Sequence, residues 1–271
     1  MTRSQGLEPP ITAEALVRDL RALGVREGEL LLVHTSLRSL SGARSMVIGG
    51  AVAVVDALLR TVGEAGTIAM PTFSSYLSEP SLWRRPAAPE EWWPAVRAHL
   101  PAWQRERTPA QGVGTVPEIF RTTPGVLRSD HPHASFAARG PDARSLLDPH
   151  PLEDALGEDS PLGRMAALGG RAVMLGSPWH SCTAFHLGEL RMRPPPPVHR
   201  QGAPMLRNGE RQWVEWTERE VTTDGFDRLG ELFERCGAVT TGTVGRATAR
   251  LFDIAAAGDF AAEHLPALRR R

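Results

Sequence analysis

The residues best equipped for chemistry lie between Arg171 and Leu190, in RAVMLGSPWHSCTAFHLGEL. A short apolar strand, Ala172 to Leu175, is ended by Gly176, and a loop carrying Ser177, Pro178 and His180 follows. Thr183, His186 and Glu189 then recur at a spacing of three. On a helix that begins near Cys182 or Thr183, this spacing places all three side chains on one face, just past a strand end. A hydroxyl, an imidazole and a carboxylate converging there suit acid/base catalysis. Histidine titrates near neutral pH, and an adjacent carboxylate fixes its tautomer and raises its basicity. In this reading His186 is the base. Glu189, or a carboxylate from another segment, orients it. Thr183 donates to a developing oxyanion beside the first amides of the helix. The same spacing also describes a capped surface helix in which Thr183 is a plain N-cap and the histidine happens to face a glutamate.

A second group follows an apolar strand: His34, Thr35, Ser36, Leu37, Arg38 and Ser39. Ligands of α/β proteins sit at the carboxyl ends of strands, and exposed amides with serine hydroxyls and an arginine suit phosphates or amides. Gly49-Gly50 at the next helix start adds a positive dipole end. His34 is either a second site histidine or a hydrogen-bonded strand end. His131 and His133 flank Pro132, a pattern that is often structural. His180 lies close to the central motif, whereas His99, His150, His199 and His264 read as surface residues.

These groups need an α/β scaffold. Thr12 is placed to cap a helix over Ala13 to Leu23, followed by a strand from Glu29 to His34, a helix from Ala51 to Val62 and a strand from Thr67 to Pro71. That order implies a mixed, partly parallel central sheet flanked by helices. The segment 74–110, dense in proline and tryptophan, reads as an inserted long ordered loop or lid. Helices are expected over Val113 to Arg121, Pro141 to Leu147 and Pro161 to Leu168. Residues 198–271 read as a C-terminal lobe: a hairpin from Met205 to Trp216 around Asn208-Gly209, then helices from Phe226 to Cys236 and Arg246 to Ala257.

At 271 residues the chain is expected to form a single domain, 1–271, with that lobe. The formal net charge of zero gives no global attraction to nucleic acid or membrane. All 31 basic residues are arginine, which argues against lysine Schiff-base chemistry. No apolar run approaches the roughly 20 residues of a membrane span, and MTRSQGLEPPIT lacks a signal core, so a cytoplasmic location is expected. The two cysteines make neither a disulfide framework nor a metal site, and no other cluster has ligand spacing, so no metal is expected. Cys182, inside the central motif, reads as a bystander.

Four collinear segments resemble the aminoglycoside 3-N-acetyltransferases: LLVHTSLRSLSG (Leu31 to Gly42), RSDHPHASFAARGP (Arg128 to Pro141), LGEDSPLGRMAALGG (Leu156 to Gly170) and GGRAVMLG followed by TAFHLGEL. APMLRNGERQWVEW (Ala203 to Trp216) extends the match. The family uses acetyl-coenzyme A and is not built on the common N-acetyltransferase fold. The resemblance implies that VHTSLRSL with VIGG binds coenzyme A, through His34, Thr35, Ser36, Leu37, Arg38, Ser39, Gly49 and Gly50. It also implies that the segment with Arg128, Ser129, His131 and Ser135 lines the cleft from beneath, with Arg128 or Ser129 near the coenzyme and Ser129 and His131 among the residues that bind it.

An aminoglycoside is a polycation, so its pocket needs carboxylates. Glu79, Glu90 and Glu91 in the tryptophan-rich segment and Asp224 and Asp227 in TTDGFD are the candidates. Phe73 to Tyr76 departs from the commonest wording of the family. The expectation is direct acetyl transfer in a ternary complex to the 3-amino group of a 2-deoxystreptamine aminoglycoside, by a monomer or homodimer. The alternative is an N-acyltransferase of the same fold acting on another amine in a biosynthetic pathway. A serine or cysteine hydrolase would be expected to carry a glycine-x-serine-x-glycine elbow, which is absent.

Overall fold

The computed structural model describes residues 6–84 and 86–269. Residues 1–5, part of the N-terminal stretch read above for a signal core, lie outside the described residues. Thr12 caps α1 (Ala13–Leu23), its hydroxyl accepting from the Ala15 amide at 3.1 Å. β1 (Leu30–Thr35), α2 (Leu37–Ser41), α3 (Gly50–Val62) and β2 (Thr67–Pro71) follow. The expected opening is therefore present to within a residue at each boundary, with α2 as an added short turn of helix. The proline- and tryptophan-rich stretch is more regular than a loop: after three single-turn 3-10 helices it forms α4 (Trp93–His99). Pro94 falls in the first turn of α4, where its missing N–H removes no helical hydrogen bond.

Next come α5 (Thr115–Arg121), β3 (Leu127–Arg128), β4 (Phe136–Arg139), α6 (Ala143–Leu147), α7 (Pro161–Ala167), β5 (Arg171–Leu175) and α8 (Ala184–Arg191). β6 (Val198–Arg207) and β7 (Glu210–Arg219) form the expected hairpin, with Asn208 at φ 53 and Gly209 at φ 81 in its turn. The chain ends in α9 (Phe226–Arg235), β8 (Thr240–Val244), β9 (Ala247–Asp253) and α10 (Ile254–Arg269). The helix expected over Arg246 to Ala257 is thus corrected. Most of that stretch is β9, held by antiparallel pairing with β5 on one side and β8 on the other, and the helix begins only at Ile254.

The main sheet has seven strands in the order β3-β4-β2-β1-β5-β9-β8. β1 lies parallel to β2 and to β5, and the outer strands pair antiparallel. Helices cover both faces. Leu31 and Val33 of β1 share a core with α1 and α3, whereas Leu32 enters a second core with Phe185 and Leu187 of α8 and Ala257 and Ala261 of α10. Burial on both faces explains why these central strands are continuous apolar runs rather than alternating ones. β6 and β7 form a separate two-stranded sheet. Among the described residues no helix is long and apolar enough to cross a membrane.

Candidate active site

The three parallel strands end on the same edge of the sheet, and a cleft of about 570 Å³ opens there. It is lined by Val33 to Thr35 at the end of β1 and Ser36 to Arg38 beyond it, Pro71 at the end of β2 and Phe73 beyond it, Ser177, Pro178, His180 and Ser181 after β5, and Thr183 and His186 at the start of α8. Gly112 to Thr115 and Thr223 complete the wall. This is the position at which α/β folds bind ligands, because loops from several strands converge there while the sheet stays rigid beneath. Gly176 shapes the edge. Its φ is 71, and a Cβ there would meet Ala247 Cβ at 2.9 Å and run into the Ser39 side chain, so the turn off β5 has no room for one.

His186 Nδ1 and Glu189 Oε2 are 2.7 Å apart, with the histidine 9% and the glutamate 0% exposed. Donation from Nδ1–H to the carboxylate selects the tautomer whose Nε2 carries the lone pair, and His186 lines the cleft. The remaining Glu189 oxygen accepts from the Thr222 amide at 2.8 Å and pairs with Arg269 at 2.7 Å. The Phe226 ring lies 4.8 Å from the imidazole and packs edge-on against Phe185. Thr183 occupies the N-cap position of α8, yet its hydroxyl makes no capping hydrogen bond. It is buried and lines the cleft. Of the three residues read at i, i+3 spacing, His186 and Glu189 are in direct contact, and Thr183 lines the same cleft as His186.

Across the cleft, His34 is also buried. Burial first, and the neighbouring His186 second, push its imidazole down to about 4, so it is neutral at physiological pH. His34 Nε2 and Thr35 Oγ1 have no hydrogen-bond partner among the described residues. Buried polar atoms are nearly always paired, so these two groups stand out on the cleft wall. Ser36, Leu37 and Arg38 share that wall. Ser36 also caps α2 by accepting from the Ser39 amide, and the two hydroxyls are 2.9 Å apart.

Several expected site residues lie elsewhere. Ser39, Gly49 and Gly50 do not line this cleft; Gly49 instead caps α3 in the left-handed conformation. Ser129 and His131 are not cleft residues either, because both close the turn that leads into β4. Ser129 accepts from the Phe136 amide and contacts His150 Nδ1 at 2.9 Å, and His131 Nδ1 accepts from the His133 and Ala134 amides. His150, expected at the surface, is buried beside them. Arg128 is buried and donates to the Thr72, Arg105 and Thr108 carbonyls, tying the tryptophan-rich segment to the end of β2.

Glu79 is buried and held by the Arg97 fork at 2.6 and 3.0 Å, so its charge is already compensated inside the fold. Glu90 and Glu91 sit in the short helix before α4. Asp224 belongs to a groove with Glu189 and Pro194 to Pro197. Asp227 reaches the mouth of the cleft by accepting from His180 N at 2.9 Å. Arg269, Thr222 and Phe226 were not singled out by sequence. Nothing local marks them, since they meet α8 only through the tertiary fold.

The fold and the site together define an α/β enzyme with a histidine–carboxylate pair at the carboxyl ends of parallel strands. The family model for aminoglycoside 3-N-acetyltransferase matches residues 32–266, and the chain belongs to that family of acyltransferases. It is 42% identical over 253 residues to the SPbeta prophage-derived aminoglycoside N(3')-acetyltransferase-like protein YokD of Bacillus subtilis, spanning 93% of this chain and 91% of that one. The YokD crystal structure superposes with a TM-score of 0.91, covering 96% of this chain and 95% of that chain. The structure of AAC-IIIb in a binary complex with CoASH is 30% identical with a TM-score of 0.84, covering 96% and 97%. That of AAC-VIa bound to sisomicin is 34% identical with a TM-score of 0.82, covering 95% and 98%.

Proposed function

We propose that this protein transfers the acetyl group of acetyl-coenzyme A directly to the 3-amino group of a 2-deoxystreptamine aminoglycoside. The observation that carries this reading is the buried His186–Glu189 pair, its histidine lining a cleft at the strand ends in a chain of this family. The CoASH complex of AAC-IIIb and the sisomicin complex of AAC-VIa support the two substrates. His186 Nε2 takes a proton from the attacking amine as the new carbon–nitrogen bond forms. Glu189 holds Nδ1–H and stabilises the resulting imidazolium. The Thr183 hydroxyl and the first amides of α8 stand where charge develops on the carbonyl oxygen. As the carbon–sulfur bond breaks, His186 returns the proton to the departing sulfur. The orphaned His34 and Thr35 side chains fit a coenzyme on the β1 wall, with Arg38 as the one guanidinium lining the cleft among the described residues.

Thiol release measured with a panel of aminoglycosides beside simple amines tests the assignment. His186→Ala is expected to lower turnover by about two to four orders of magnitude while coenzyme binding persists, the usual scale for loss of a general base. Near-normal turnover at pH 7 in that variant overturns the base assignment. A second acceptor class is favoured by one observation: no aspartate or glutamate lines the cleft among the described residues. If the panel shows turnover of simple amines and none of aminoglycosides, the enzyme is an N-acyltransferase of another amine.

A further inference from the structure

Glu189 has no solvent exposure, and its second carboxylate oxygen is engaged from the far end of the chain. Arg269, in the last described turn of α10, places Nη1 2.7 Å from Glu189 Oε1. Its Nη2 donates to the Thr222 carbonyl at 2.8 Å and contacts the Thr222 hydroxyl at 3.2 Å, while Nε donates to the Asp224 carbonyl at 3.0 Å. The Thr222 amide itself donates to Glu189. One guanidinium therefore ties the carboxylate behind the base to a loop whose middle residue, Thr223, lines the cleft. Its Cζ lies 6.0 Å from the centre of the Phe226 ring, which in turn packs on the His186 imidazole.

Resting on the reading of His186 as the base, we infer that Arg269 is a positioning residue for the reaction: it compensates the buried charge of Glu189 so that His186 stands ready as a neutral base, and it fixes the loop 222–224 against the cleft. A buried carboxylate demands a positive partner. With Arg269 in place that demand is met without a proton on the imidazole. Without it, the remaining cation available to Glu189 is the imidazolium of His186, whose Nε2 already carries the proton it is meant to accept. The other ionisable neighbours do not substitute. His34 on β1 is kept neutral by burial, and His180 at the mouth is engaged by Asp227. Arg191, on the same helix as the base, is paired with Glu158 and Asp259.

The test compares pH profiles of kcat/KM for Arg269→Gln, Arg269→Lys and His186→Asn with the unaltered enzyme, after circular dichroism has shown each variant folded. In Arg269→Gln the acidic limb should move up by about one pH unit, so that kcat/KM on the acid side of that limb falls by up to about tenfold at a given pH and recovers in alkali, the size expected on removing a cation from within a few ångströms. Arg269→Lys should keep the limb in place while raising the acceptor KM, because it keeps the charge and loses the fork that holds Thr222. An unmoved limb in Arg269→Gln, or a loss equal at every pH, overturns the inference. An acidic limb that survives in His186→Asn shows instead that the base itself is misassigned. Histidine-labelled NMR of the unaltered protein needs no variant: His186 should be the neutral Nδ1–H tautomer at pH 7, and an imidazolium there also overturns the inference.

Discussion

Cys182 sits one residue before Thr183 and invites a covalent mechanism, in which a thiolate would take the acetyl group before passing it on. Its environment opposes this. The side chain has no exposure, and burial pushes the thiol up to about 12. The thiolate, not the thiol, is the nucleophile. Cys182→Ala should therefore keep kcat close to the unaltered value, and initial-rate lines against both substrates should intersect rather than run parallel. A folded but inactive Cys182→Ala, or parallel lines, would put the thiol back into the mechanism. At this scale the sequence was readable wherever partners share one short helix, as Thr183, His186 and Glu189 do. It was unreadable where a charge is answered from afar. Glu79 looked like a free carboxylate because its partner Arg97 becomes its neighbour only once α4 has formed. Arg269 carries no local mark because α8 and α10 meet only in the folded chain.

The meeting of those two helices depends on a glycine lying between His186 and Glu189. A Cβ at Gly188 would lie 2.5 Å from Ala261 Cβ and would run into the Gly258 carbonyl oxygen. The bare backbone lets α10 lie close against α8, and this close packing sets the line along which Arg269 reaches Glu189. Gly188→Ala should destabilise the fold by about 1–3 kcal/mol, the usual cost of overpacking, despite alanine's better helix propensity. Urea denaturation measures this directly, and an unchanged or raised midpoint would show that the helices have room to separate. Elements were legible where one period dominated. The Arg246 to Ala257 stretch failed because its alanines and single apolar residues satisfy a helical pattern. The alternation was present all the same: Ala247, Ala249 and Leu251 are buried, whereas Thr248 is exposed and Arg250 is half-buried. Pairing of β9 with β5 overrides helix propensity there.

For the molecule as a whole, the histidines buried beneath the hairpin set a limit on acid tolerance. His131, His133 and His150 are buried where the main sheet meets the β6–β7 hairpin. The His131 ring is 4.6 Å from His150 and 6.0 Å from His133, and Trp216 of β7 packs 5.0 Å from His133. Burial, reinforced by their mutual repulsion, holds His133 down to about 3 and His150 well below the usual imidazole value; burial alone holds His131 down to about 4. His131 must also stay neutral to accept two backbone amides on Nδ1. In the unfolded chain the same side chains take up protons as the pH drops through the ordinary value of 6.5, while the folded chain does not until about 4 or 3. Over that window the unfolded state binds more protons, so stability falls with falling pH, by about 1.4 kcal/mol per pH unit for each such histidine. Above about 6.5 these groups contribute no slope. Urea midpoints measured from pH 8 to pH 4.5 should therefore be level at first and then drop steeply. Because the cluster lies under the hairpin, the Trp216 fluorescence signal should change at least as early as the loss of helix. His133→Phe, which keeps a ring against Trp216 and cannot be protonated, should flatten the slope. Midpoints that stay level between pH 7 and pH 5, or a slope unchanged in His133→Phe, would mean that the acid sensitivity of the fold lies elsewhere.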